Sequence, residues 1–276
     1  MTLTRKYNMT TQRFDLTEKV VVITGGTGLL GSAYCQGMAE HGAQVVMADL
    51  AAADPVGKAK AIKTADGREA FGIACDVSSE ADVVNLFEQV MAKFGRVNVV
   101  LNNAAATGEH LMRQGAVFTS FEDSTLAVWE SAIRVNLTGV YLVAREGGKA
   151  MLKGGGGSLV NVSSTYGVVG PDHRIYEGMK FNSLPSYAAA KAGVHGLTRW
   201  LATYWGDKGI RVNTVVPGGV HNNQDPEFVR RYTARVPLGR MAKRDDMVGM
   251  MIFLASDASA YCTGQQYFVE GGWTAV

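Results

Sequence analysis

The chain has 276 residues, 47% of them hydrophobic, with 27 Lys and Arg against 25 Asp and Glu for a net charge of +2. This is enough to bury the core of one α/β domain without a linker. No basic block or Lys/Arg stripe interleaved with aromatics is present, which excludes a nucleic-acid face, and no apolar stretch approaches the roughly 18 residues of a membrane span.

Residues 1–15 are polar and read as a flexible arm, leaving one cofactor-binding, catalytic domain over 16–276. An apolar, β-branched run at 19–24 predicts a strand. It leads straight into Gly25-Gly26-Thr27-Gly28-Leu29-Leu30-Gly31 and a helix over 28–41. Strand, glycine turn and helix together suit a dinucleotide. Glycines let the backbone approach a pyrophosphate, and the free N–H groups of the following helix bind the anion. The expected contacts are Gly25, Thr27, Gly28, Leu29 and Leu30. The next strand, 44–48, ends at Asp49, about twenty residues beyond the turn, where a carboxylate accepts from both adenosine ribose hydroxyls. Asp49 also repels a 2′-phosphate, and Leu50, Ala51 and Ala52 supply no cation. The expected cofactor is therefore NAD.

Helical patterns at 56–65, 80–94, 125–152, 185–205 and 244–255 then alternate with apolar runs at 70–75, 97–102, 158–163, 210–216 and 267–269. Such alternation predicts an α/β fold, a Rossmann-like doubly wound parallel sheet of about seven strands with helices on both faces. Ligands in such folds sit at the carboxyl ends of the strands. There the sequence places Asp76 with Val77, then Asn102-Asn103-Ala104-Ala105, Ser163-Ser164, and Pro217-Gly218 with Val220.

The chemistry points to Tyr187 and Lys191, four residues apart on one helix face with alanines between them. A phenol of pKa about 10 is a poor base at neutral pH. Lowering it by about three units takes roughly 4 kcal/mol of preferential phenolate stabilisation, which a close ammonium and an oxidised nicotinamide can supply together. Tyr187 would then exchange a proton with an alcohol or carbonyl. Cys35, Cys75 and Cys262 are scattered, the pattern of buried thiols in a reducing cytoplasm. His41, His110, His173, His195 and His221 lack ligand spacing, so no metal site is expected.

These motifs, in this order, resemble the short-chain dehydrogenase/reductases over nearly the whole chain. The resemblance implies that Tyr187 is the general base in oxidation or acid in reduction, and that Ser164 hydrogen-bonds the reacting oxygen. Lys191 would lower the tyrosine pKa and hold the nicotinamide ribose. Asn136, in Val135-Asn136-Leu137, would anchor a proton-relaying water or merely mend a helix kink; Ser163 is the alternative serine. It also implies cofactor contacts at Asp76, Val77, Asn103, Ala104, Ala105, Pro217, Gly218 and Val220. The chain departs from the commonest pattern at three places. Leu29 stands where glycine is usual, so that Gly25, Gly28 and Gly31 resemble extended members acting on nucleotide sugars. Ala105 replaces a glycine, and no hydroxyl residue follows Pro217-Gly218 where one is expected.

The segment from Ser164 to Tyr187 is longer than in typical members, and residues 170–185 read as a substrate wall. With His110, Arg113, Tyr166, Arg174 and His221 it predicts a polar, partly cationic pocket for a sugar- or polyol-like, even anionic, small molecule. Two alternatives stay open: a nucleotide-sugar epimerase or dehydratase that returns its hydride to bound NAD, and an NAD sensor without turnover. The resemblance further implies a homodimer or homotetramer paired through helices at 137–152 and 186–205.

Overall fold

Successive strand residues point to opposite faces, and that period sorts the apolar side chains into two layers. The computed structural model describes residues 12–108 and 120–276. In it β1 (Val20–Thr24) turns Val20 and Val22 to one face and Val21 and Ile23 to the other. The remaining elements are α1 (Leu29–Glu40), β2 (Gln44–Asp49), α2 (Pro55–Ala59), β3 (Phe71–Ala74), α3 (Glu80–Phe94), β4 (Val99–Asn102), α4 (Leu126–Ile133), a π-helical turn (Arg134–Gly139), α5 (Val140–Lys153), β5 (Gly157–Val162), α6 (Pro185–Trp205), β6 (Ile210–Pro217), α7 (Pro226–Thr233), α8 (Val248–Ala255) and β7 (Gln266–Val269).

The described strands form one seven-stranded parallel sheet in the order β3-β2-β1-β4-β5-β6-β7, the Rossmann-like arrangement expected. Leu86 and Val90 of α3, Leu142 and Val143 of α5 and Trp205 of α6 cover one face. Tyr34 and Met38 of α1 with Met251 and Leu254 of α8 cover the other. Because the chain winds outward from β1 to β2 on one side and from β4 to β5 on the other, a crevice opens at the carboxyl ends of β1 and β4. No helix among the described residues is long and apolar enough to cross a membrane.

A buried polar row crosses the middle of the sheet. Asn102 is in register with Asn161, and Asn161 with Thr214. Asn102 Nδ2 donates to the Val140 carbonyl at 2.8 Å and to Asn161 Oδ1 at 3.1 Å. Asn161 Nδ2 donates to Thr198 Oγ1 at 2.9 Å, and the Thr198 and Thr214 hydroxyls are bonded at 2.8 Å. The row thereby ties β4, β5 and β6 to the start of α5 and to α6.

Four expectations need correction. The helix expected at 56–65 stops at Ala59, because Thr64 folds the chain back through its bonds with Arg68 and the Lys63–Glu69 bridge. The helix expected at 125–152 is broken by the π turn, where both amide atoms of Asn136 engage the Ala106 backbone at 3.0 and 2.9 Å. Helix α7 was not anticipated, although Asp225 caps it at 2.8 Å and Pro226 occupies its first turn. Finally, residues 1–11 of the expected arm lie outside the described residues, whereas 12–15 belong to the fold: the Arg13 carbonyl accepts from Ala258 N–H at 3.1 Å, and Leu16 is fully buried.

Replacing Asn161 with leucine would remove the centre of the polar row and leave buried partners unsatisfied, at about 1–3 kcal/mol each. Asn161→Leu should therefore lower stability by about 2–4 kcal/mol in urea unfolding. A wild-type midpoint would show that the row is dispensable.

Candidate active site

The glycine turn is built against the end of β4. Gly25 has φ +64°, and a Cβ there would come within 2.8 Å of Ala104 Cα. A Cβ on Gly31 would lie 2.0 Å from the Gly25 carbonyl oxygen, so α1 can start under the turn only with glycine at that place. Asn103 locks the junction: its Nδ2 donates to the Thr24 and Gly25 carbonyls at 2.9 and 3.2 Å, and its N–H donates to Thr24 Oγ1 at 3.1 Å. Gly28 begins α1 without a side-chain cap, leaving the first-turn N–H groups open to an anion.

Across the turn, Asp49 Oδ2 accepts from the Thr27 N–H at 2.9 Å and its hydroxyl at 2.6 Å, while Oδ1 accepts from Leu50 N–H at 2.8 Å. Asp76 is fixed in the same way by the Ser78 N–H and hydroxyl at 2.9 and 2.8 Å. Between them runs a cleft of about 1130 Å³ lined by Gly25, Thr27, Gly28, Leu29, Leu30, Asp49, Asp76, Val77, Asn103, Ala104, Ala105, Pro217, Gly218 and Val220, with Ser164 and Tyr187. Its size exceeds the roughly 300–1,000 Å³ of sites for smaller ligands. A backbone cradle that a Cβ would fill, facing a fixed carboxylate, fits a dinucleotide. Cys75, Thr107, Arg134, Asn222 and Gln224 also line this cleft, without having been expected there.

The two serines part company. Ser163 is buried, its hydroxyl 2.8 Å from the Lys191 carbonyl and 2.9 Å from His195 Nε2. Ser164 instead reaches the cleft that Tyr187 also lines, and its hydroxyl accepts from Tyr166 N–H at 3.2 Å. Lys191 is buried beneath them, donating from Nζ to the Val162 carbonyl at 2.8 Å, 5.7 Å from the centre of the Tyr187 ring.

In the free protein burial is the larger influence on both Tyr187 and Lys191. Burial pushes the phenol up, opposed only by the Ser164 hydroxyl, and the same burial pushes the lysine down to about 8. Desolvation disfavours the charged form of each group. Of the two roles expected of Asn136, its engagement with Ala106 accounts for the one at the helix irregularity.

Tyr187, Thr107, Asn222 and Gln224 also border a second pocket of about 300 Å³, so the two spaces meet at the phenol. Tyr166, Tyr176, Phe181 and Phe228 form its aromatic wall, and Asn182, Asn223 and Asp225 add polar groups. Tyr166 stands where a substrate contact was expected. The cationic wall is corrected: the Arg174 side chain is 82% exposed and paired with Asp172 at 2.9 Å, His221 is exposed, and neither lines the pocket. His110 and Arg113 lie outside the described residues. Asp172 is held between Arg174 and Arg235, while the insertion turns Ile175, Tyr176 and Phe181 inward onto Phe228, Tyr232 and Trp273. The aromatic residues at 176 and 181 were the signal in the sequence that could have revealed this wall.

Comparison with known proteins agrees with this geometry. A family model described as enoyl-(acyl carrier protein) reductase matches residues 28–274. D-threitol dehydrogenase of Mycolicibacterium smegmatis is 33% identical over 267 residues, 95% of this chain and 95% of its own. A short-chain dehydrogenase from Leptospira borgpetersenii, solved with bound NAD+, superposes with a TM-score of 0.80 at 31% identity over 94% of each chain. A gluconate 5-dehydrogenase from Burkholderia cenocepacia, in complex with NADP and tartrate, superposes with a TM-score of 0.84 at 28% identity over 96% of this chain and 98% of that one.

Two variants test the site. Gly31→Ala should weaken reduced-dinucleotide binding at least about tenfold in a fluorescence titration, because the new methyl must displace the turn; unchanged affinity would show that the turn can move aside. Arg174→Ala should leave KM for anionic and neutral alcohols within about twofold, since its head group is solvated and salt-bridged. A rise confined to anions would restore the cationic wall.

Proposed function

Because the chain belongs to the short-chain dehydrogenase/reductase family, we propose that it is an NAD-dependent oxidoreductase interconverting a secondary alcohol and a ketone on a small, polar, sugar- or polyol-like substrate. The observation that carries this reading is the meeting of the cofactor cleft and the smaller pocket at Tyr187, with Ser164 lining the same cleft. A nicotinamide held in the cleft supplies the hydride acceptor or donor. Tyr187 takes the alcohol proton in oxidation and returns it in reduction, while Ser164 hydrogen-bonds the reacting oxygen. Lys191, anchored on Val162, holds positive charge beneath the site.

Asp49 supports NAD over NADP. Its carboxylate is pinned at the end of β2 by Thr27 and Leu50, so it cannot swing away from a 2′-phosphate. Among the described residues lining the cleft, the single cation is Arg134, which belongs to the π turn and not to the β2 end. Like charges about 4 Å apart cost about 1 kcal/mol in water and about 4 near a protein surface. The polyol preference rests on an aromatic pocket edged by amides and on the relatives' names. Intact Tyr187, Ser164 and Lys191 disfavour a sensor without turnover. Pairing of two copies through α5 and α6 is proposed from Tyr141, Leu152, Trp200 and Tyr204, which stand exposed there, Trp200 and Tyr204 stacked at 4.8 Å.

Offered a polyol and sugar panel with NAD+, the protein should generate the absorbance of reduced nicotinamide. Tyr187→Phe should cut kcat by about 10²–10⁴ while leaving dinucleotide affinity within a few-fold; wild-type turnover by that variant sinks the mechanism. Burial raises the phenol, so base form accumulates only as pH climbs: oxidation should accelerate and reduction slow with rising pH. Efficiency with NADP+ should be at least about tenfold lower than with NAD+, and Asp49→Ala should narrow that gap. Equal use of both cofactors by the wild type refutes the assignment. Trp200→Lys should shift the sedimenting species toward monomer.

A further inference from the structure

Two phenols besides Tyr187 face the substrate pocket. Tyr166 follows Ser164 by two residues, Tyr176 comes from the insertion, and their hydroxyl oxygens are 2.8 Å apart. Both lie near enough to Tyr187 to feel its charge, and burial, the larger cause, pushes Tyr176 up to about 12 and Tyr166 higher still. They remain neutral hydroxyls. One proton is used in the bond between them, so whichever oxygen accepts keeps its own O–H for a third partner, and lone pairs remain on both. Among the described residues neither hydroxyl has another hydrogen-bond partner. A group that both donates and accepts is the complement, and an alcohol hydroxyl is such a group.

The surroundings hold this pair in place and suit a carbon skeleton. Tyr176 meets Phe181 edge-on at 5.8 Å and Phe228 at 5.6 Å, giving flat apolar faces for C–H groups. Arg231 Nη1 donates to the Glu177 carbonyl at 2.6 Å, and Asp172 pairs with Arg235, so the insertion bearing Tyr176 is clamped to α7 and the residues after it.

We propose that the Tyr166–Tyr176 hydroxyl pair binds a second hydroxyl of the substrate, one or two carbons from the reacting carbinol, and so selects diols and polyols over simple alcohols. This deepens, and rests on, the alcohol–ketone reading of the same site. A site that hydrogen-bonds a substrate hydroxyl discriminates against the analogue lacking it, since its own polar groups are then left unpaired.

The test compares cyclohexanol with its vicinal diol, using NAD+ and the wild type, Tyr166→Phe and Tyr176→Phe. The wild type should favour the diol by about tenfold or more in kcat/KM, and each phenylalanine should erase most of that preference by lowering kcat/KM for the diol far more than for cyclohexanol. An unchanged preference, or an equal loss on both alcohols, would overturn the proposal and reduce the pair to a strut. If the wild type turns over neither alcohol, the oxidoreductase reading fails on its own. Calorimetric titration of the same two alcohols into the wild type with NAD+ then still decides the pair, and also decides it if a variant does not fold. Tighter binding of the diol supports it, and equal binding overturns it.

Discussion

Helix α6 carries Tyr187 and Lys191, and its seat on the sheet is fixed by buried polar bonds rather than by apolar contact alone. Thr198 is held by Asn161 and Thr214, Lys191 Nζ by the Val162 carbonyl, and the Lys191 carbonyl by Ser163. An apolar face tolerates sliding because dispersion is non-directional, but a slip here would strand several buried polar groups at once, including a cation. If the Ser163 hydroxyl donates to the Lys191 carbonyl, it must accept from His195 Nε2–H, which assigns the tautomer of that buried ring. Burial and the cations Arg199 and Lys191 push His195 toward its neutral form, consistent with that arrangement. The height of the Tyr187 hydroxyl relative to Ser164 therefore follows from bonds made at the ends of β5 and beneath the helix.

The cofactor side uses a different device. The turn is defined by what cannot fit: a Cβ at Gly31 or Gly25 would collide with backbone, so the approach of α1 to β4 is set by bare main chain. Side chains enter only to brace that main chain, as Asn103 does from β4 and Asp49 does from β2. Backbone amides and a pinned carboxylate can bind without reorganising, whereas the catalytic half carries buried charge that costs desolvation. The elevated phenol and depressed lysine are the mark of that cost in the free protein, and positive charge arriving in the cleft would act in the direction that lowers the phenol.

What the sequence made legible follows the same division. The run from Val20 to Gly31 and the Tyr187–Lys191 spacing are local, periodic signals, and the structure brings the glycine turn and Tyr187 to one crevice. Contacts that are tertiary left no such trace. Nothing in the periodicity of 125–152 betrays the π turn, because its cause is an Asn136 side chain reaching a loop thirty residues earlier. The short α2 yields to a polar turn around Thr64 that competes with the helix through its own hydroxyl. Arg174 was expected to face the pocket because cations suggest ligands, yet Asp172 two residues before it offers a nearer partner through two bonds of 2.9 Å. Asp225-Pro226 was a readable helix start, and the aromatics at 176 and 181 were a readable inner face; both lay in segments read as loops.

The insertion brings its own small core, and this separates specificity from chemistry. Ile175, Phe228, Tyr232, Val236, Met241 and Trp273 pack together apart from the two layers of the sheet, with Tyr232 stacked on Trp273 at 4.3 Å. The clamps around it, Asp172 with Arg174 and Arg235 and Glu227 with Arg230 and Arg231, are partly exposed ion pairs that solvent screens, so each is individually weak. Such a wall can be reshaped by substitution at modest cost, because none of its bonds is shared with the polar row under α6. The two parts touch at the pocket rim, where Tyr166 follows Ser164 and Tyr176 reaches it from the insertion, at Leu184, whose carbonyl accepts from the Tyr187 N–H at 3.1 Å, and at Tyr232, whose hydroxyl accepts from the Gly219 N–H at 2.5 Å. A change in the wall thus reaches the reacting centre through the paired hydroxyls and through the main chain that starts α6.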